Sequence, residues 1–266
     1  MREAPVTPNG DRIRWVELPG TELTGTELTG TEPARLYLHG LGASSPAYFA
    51  AAAVHPLLAG RRSLLLDLLG FGLSDRPTDF GYTLEEHADA VAAAVAAAGP
   101  DRVEVVGHSM GGAVAIVLAH RHPRLVERLL LVDANLDRID PDRRHLGSSG
   151  IAAYTEEEFL AGGRDEVAER VGPFWWSTMR LAGPEALHRS ARHLARATVP
   201  AMRELLLGLD LPRTFLHPAA DGEPAGADAL RAAGVRVVAV PDCGHNIMLD
   251  NPDGFAAAAA EALGLG

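Results

Sequence analysis

The sequence contains no lysine, so all 24 of its basic residues are arginine. With its load of alanine, glycine and proline, this reads as compositional bias rather than function. Basic residues are outnumbered by 35 acidic ones, for a net charge of −11, and no basic stripe interrupts the chain. Nucleic acid is therefore excluded as a partner. Cys243 is the only cysteine, which rules out an intrachain disulfide. No apolar run approaches the ~20 residues of a membrane span. The alanine-rich stretches at 91–98 and 255–260 are too short and read as buried helices. The first ten residues lack the apolar core of a signal peptide, so a soluble, cytoplasmic protein is expected. Metal chemistry has little to build on. There is no H-E-x-x-H, and His120 and His122 lie two apart, off any common helix face. Gly70-Phe71-Gly72 lacks the third glycine of a dinucleotide fingerprint, and no phosphate-binding loop is present. No cofactor and no metal are implied.

What is present is concentrated between Val103 and Ala119. A β-branched run, Val103-Glu-Val-Val106, ends in Gly107-His108-Ser109-Met110-Gly111, and an apolar helix pattern of small residues follows at once. Strand, sharp turn and helix with serine at the apex make the context in which G-x-S-x-G presents a nucleophile. The turn crowds the serine backbone, and glycines two residues to either side relieve it. The Met110 amide, opening the helix, then faces the place where an oxyanion would develop.

The 266 residues suit one large α/β domain with an inserted subdomain. Arg12–Leu18 alternates as a half-buried strand should. The repeat Thr21-Glu-Leu-Thr-Gly25, Thr26-Glu-Leu-Thr-Gly30 reads as an expanded loop. From residue 34 to 133, strands alternate with helices, which implies a mostly parallel sheet with helices on both faces and functional groups at the strand C-termini. Thr83 with Glu86 caps a helix over 84–98, stopped by Gly99-Pro100. After Asp133 the alternation stops. Residues 135–211 hold helical segments only and read as an inserted cap on a core made of 1–134 and 212–266. The alternation resumes with a strand at 214–216, a last strand at 235–240, and a closing helix from Pro252.

Four stretches, in this order, carry a resemblance to the α/β-hydrolase superfamily over nearly the whole chain. They are His39-Gly40, Asp67 with Gly70-Phe-Gly-Leu-Ser-Asp75, Gly107–Gly112, and Asp242-Cys-Gly-His245. The loop and the elbow look most like the haloalkane dehalogenase and epoxide hydrolase branch, whose nucleophile is aspartate. Serine at 109 points instead to acyl chemistry. The resemblance implies an eight-stranded sheet with a helical cap between the sixth and seventh strands, and His245 as the base that activates Ser109. It implies Leu41 and Met110 as the oxyanion amides. The acid behind His245 is left open between Asp221, after the seventh strand and preferred, and Asp133, at the end of the sixth. His39 and His108 read as structural. Trp175, Trp176 and Met179, in the insertion, are candidates to line a pocket for a small apolar or amphipathic acyl substrate. The implied activity is a cofactor-independent serine hydrolase. Carbon–carbon hydrolysis, lactone hydrolysis and peracid formation use the same residues, and a non-catalytic receptor on this fold is the reading from another class. Oligomeric state is not legible.

Overall fold

The computed structural model describes residues 1–20 and 33–265. The pentapeptide repeat lies outside the described residues. Strands β1 (Arg2–Pro5), β2 (Arg12–Leu18), β3 (Ala34–Leu38), β4 (Ser63–Asp67), β5 (Val103–His108), β6 (Val126–Val132), β7 (Arg213–Pro218) and β8 (Val235–Val240) form one sheet, ordered β1-β2-β4-β3-β5-β6-β7-β8. β1 and β2 are antiparallel; every pairing from β4 to β8 is parallel. β3, β4 and β5 are buried at every residue, as strands covered on both faces must be. β2 keeps the alternation of an edge region, with Ile13 and Trp15 turned inward. β1 is a strand that the sequence pattern does not announce.

Helices α1 (Ser45–Ala53), α2 (Leu84–Ala98) and α3 (Met110–Arg121) connect the first parallel strands. Between β6 and β7 come α4 (Ser148–Ala152), α5 (Glu156–Glu158), α6 (Arg164–Met179), α7 (Pro184–Arg196) and α8 (Met202–Gly208), with no strand among the described residues there. Then follow α9 (Ala227–Ala232), α10 (Ile247–Asp250) and α11 (Pro252–Leu263). One core joins α2, α3 and the inserted helices to one face of the sheet. A second packs α1 and α11 on the other. α2 has the expected bounds: Thr83 Oγ1 accepts from the Glu86 amide, Glu86 accepts from the Thr83 amide, and Gly99 ends the helix in the left-handed region at φ 92°. α6 is broken at Gly172, where φ is 75°. No helix among the described residues is long and apolar enough to cross a membrane.

His87 ties α2 to α7. Its ring is fully buried beside Phe71, Phe80 and Tyr82, and Nε2 lies 3.0 Å from Ser190 Oγ. Burial, with lesser repulsion from His39 and His193, pushes its pKa down to about 3 from an ordinary 6.5. The unfolded chain therefore takes up a proton that the folded chain refuses. This stability is complete above pH 6.5 and is lost as pH falls toward 3, at about 1 kcal/mol per pH unit. Melting temperatures taken from pH 7.5 down to 5 should fall, and His87→Asn should flatten that slope. An unchanged slope in the variant would remove His87 as its source.

Candidate active site

Ser109 closes β5 and caps α3 with φ 51° and ψ −119°, a conformation that costs a non-glycine residue about 1–3 kcal/mol. Packing on either side holds it there. A Cβ on Gly107 would meet the Gly111 carbonyl oxygen at 2.6 Å, and one on Gly111 would meet that of Leu38 at 2.4 Å. The Ser109 amide donates to the Val132 carbonyl at 3.0 Å, which pins the turn to the neighbouring strand. The hydroxyl is thereby lifted from the C-terminal edge of the sheet, over the amides that open α3.

Strand order decides what surrounds it. β3 is one neighbour of β5, so the turn after β3 lies against the elbow: a Cβ on Gly40 would come within 3.1 Å of Ser109 Cβ. β6 is the other neighbour, and Val132 pairs with His108, which places Asp133 beside Ser109 one step further on. Asp133 adopts φ 44°, a left-handed conformation that aspartate tolerates better than most residues. Its Oδ2 lies 2.6 Å from Nδ1 of His245, in the loop after β8. A carboxylate on Nδ1 keeps the proton there and leaves Nε2 free to act as a base.

The structure places Asp133, and not the preferred Asp221, on His245. The chain leaves β7 through a single 3-10 turn, Ala219–Asp221, and Asp221 ends exposed. The carboxylate bonded to His245 is Asp133, which the register of β6 on β5 also sets beside Ser109. Asp221 stays close enough to act electrostatically on Cys243. That thiol is raised first by burial, then by Asp250, Asp133, Asp221 and Asp242.

The Ser109 hydroxyl donates to Asn135 Oδ1 at 3.2 Å. Asn135 is the site residue that sequence reasoning passed over, although Asp133-Ala-Asn135 ends an apolar strand in two polar groups. His39 is fully buried. Its Nδ1 donates to the Gly40 carbonyl at 2.7 Å, and Nε2 accepts the Leu68 amide at 3.0 Å. Burial lowers its pKa, against the pull of Asp67, so the neutral ring braces the β3 turn. His108 is also buried and neutral, held well below the usual histidine range by burial and by repulsion from His245. Its Nε2 donates to the His245 backbone carbonyl at 2.9 Å, tying the loop of the base to the elbow.

A cavity of about 350 Å³ opens over Ser109. Gly40 and Leu41 form its floor with Ser109 and His245; Tyr48 and Asn135 add polar groups. The inserted region contributes Leu146, Ser148, Trp175 and Leu194. Trp175 Nε1 donates to the Leu41 carbonyl at 3.4 Å and so touches the same turn. Trp176 and Met179 do not line the cavity. Trp176 faces the guanidinium of Arg164, 5.1 Å from its ring, and Met179 is fully buried against Gly42. The helical period explains this: of the two adjacent tryptophans on α6, one faces the sheet edge and its neighbour is turned about 100° away. Among the described residues, no three of His, Cys, Asp and Glu converge as metal ligands.

A serine on a strained strand-to-helix turn, a histidine–carboxylate pair formed by the loops after β8 and β6, and inserted helices beside them make up one site. The chain belongs to the α/β-hydrolase fold family, whose sequence profile matches residues 35–175, more than half its length. It is 38% identical over 98 residues to a 2-hydroxymuconate semialdehyde hydrolase of Pseudomonas sp. CF600, a match covering 36% of this chain and 35% of the relative. The chain thus spans about a third of the length of the curated relatives it matches. Solved structures match over nearly the whole length. An enol-lactonase from Burkholderia xenovorans LB400 has a TM-score of 0.77 at 21% identity, covering 99% of this chain and 100% of the other. An esterase from Exiguobacterium antarcticum has a TM-score of 0.76 at 18% identity, covering 98% of each. At such identities the likeness is one of fold.

Proposed function

We propose that the chain is a serine hydrolase that cleaves an ester or related acyl bond through an acyl-enzyme on Ser109. The observation that carries this reading is the 2.6 Å pair between His245 and Asp133 beside a strained serine. Ser109 Oγ attacks the acyl carbon as His245 Nε2 takes its proton. The carbonyl oxygen, now negative, is held by the Leu41 and Met110 amides. Collapse of the tetrahedral species breaks the bond to the leaving alcohol, which receives the proton from His245. Water, deprotonated by the same histidine, then releases the acid and restores Ser109. Asp133 holds the ring and offsets its charge during transfer. In the resting arrangement Asn135 accepts the serine proton, so the hydroxyl must turn toward Nε2 as substrate enters. The residues and water supply every group these steps need, so the reading calls on no cofactor.

The test is covalent labelling with a fluorophosphonate. A single adduct mapped by mass spectrometry to Ser109, with turnover of p-nitrophenyl esters, is the expected result. No adduct and no turnover across several acyl lengths would sink it. Carbon–carbon hydrolysis is the second reading, favoured by the likeness to the semialdehyde hydrolase.

A further inference from the structure

The cavity over Ser109 has no cation in its wall. Among the described residues none that lines it is arginine, and the chain has no lysine. The arginines nearest in sequence to its Leu146 rim are occupied: Arg143 by Glu158 at 2.7 Å, Arg144 by Asp142 at 2.6 Å. The loop that carries His245 sits among carboxylates. Asp133, Asp221, Asp242 and Asp250 all act on Cys243, two residues before His245. Asp133 is part of the site itself, and the net charge of −11 adds to the same field. An acyl chain ending in a carboxylate would give up water on entering this space and find no counter-charge, while four aspartates repel it on approach. An uncharged chain meets Leu146, Trp175 and Leu194 together with the neutral hydrogen-bonding groups of Tyr48 and Asn135.

We propose that this pocket selects acyl groups without charge, so that the substrate class is the ester of a small uncharged carboxylic acid. The inference rests on the acyl-transfer reading above. It separates this chain from any hydrolase whose substrate offers a second carboxylate for recognition.

The experiment compares p-nitrophenyl valerate with p-nitrophenyl hydrogen glutarate, which differ by a terminal methyl against a carboxylate. At about 20 mM salt, where screening is weak, kcat/KM for valerate should exceed that for glutarate by at least roughly 30-fold, and the ratio should narrow at about 500 mM salt. Leu146 is 53% exposed, so a long polar side chain fits there without disturbing the core. Leu146→Arg should reduce the preference at least about fivefold by supplying a cation at the rim, and Leu146→Gln, which removes the same apolar contact without adding charge, should reduce it by clearly less. Equal or faster turnover of the glutarate ester by the unaltered protein overturns the inference and leaves acyl transfer standing. Turnover of neither ester, with no fluorophosphonate adduct on Ser109, overturns both.

Discussion

Ser109→Ala should lower kcat/KM for a neutral p-nitrophenyl ester by at least about 10⁴-fold and abolish fluorophosphonate labelling. The fold should not register the change. The hydroxyl makes one hydrogen bond, to Asn135 at 3.2 Å, and alanine at φ 51° is under the same backbone strain as serine. The melting temperature should therefore stay within about 2 °C, which a circular dichroism melt would check. Retained turnover within tenfold of the unaltered protein would show that the reaction does not pass through this side chain. The pairing of large kinetic loss with unchanged stability is the discriminating result, since a purely structural serine on a strained turn would affect the melt as well.

Asp133→Asn should cost about 10³- to 10⁴-fold in kcat, because an amide cannot stabilise the imidazolium and can turn its own N–H toward Nδ1, favouring the wrong tautomer. Asp221→Asn should stay within about threefold, the effect of removing one exposed charge at a distance. The two variants measured side by side against one ester decide the assignment. A severe loss at Asp221 with a mild one at Asp133 would mean that the 2.6 Å pair is not the working one. Because asparagine preserves the shape of aspartate at φ 44°, where both residues are tolerated, the Asp133 variant should fold.

Much of this fold is local in origin. The runs at 34–38, 63–67 and 103–108 are mostly apolar and too short for helices, which fits interior parallel strands. The capping box at Thr83 stands where its spacing puts it. The elbow was legible from its pattern, although only Gly107 is required by atoms a few residues away; Gly111 is required by the Leu38 carbonyl of the adjacent strand. β1 was not legible, being four residues long and paired only at the edge. The lining of the cavity was legible only in part. Trp175 and Trp176 are chemically identical neighbours, and nothing within the pair says which will face the β3 turn and which will lie under Arg164.

The acid behind His245 marks the boundary most sharply. The sequence by itself determined that a serine would stand on a strand-to-helix turn, that a histidine would follow the last strand, and that helices would interrupt the alternation after Asp133, because each follows from propensity, periodicity and sterics within about twenty residues. It offered two aspartates at strand ends, and the one it preferred, Asp221, is not the one that the structure places on His245. Which of them meets His245 depends on how the loops after β6, β7 and β8 pack at the end of the sheet. Asn135 reaches Ser109 for the same reason, and the absence of cations from the pocket wall likewise depends on how distant segments pack. A contact across 112 residues of chain, as between Asp133 and His245, is written in no local pattern. It exists because the sheet brings two strand ends together, and only the assembled tertiary structure could decide it.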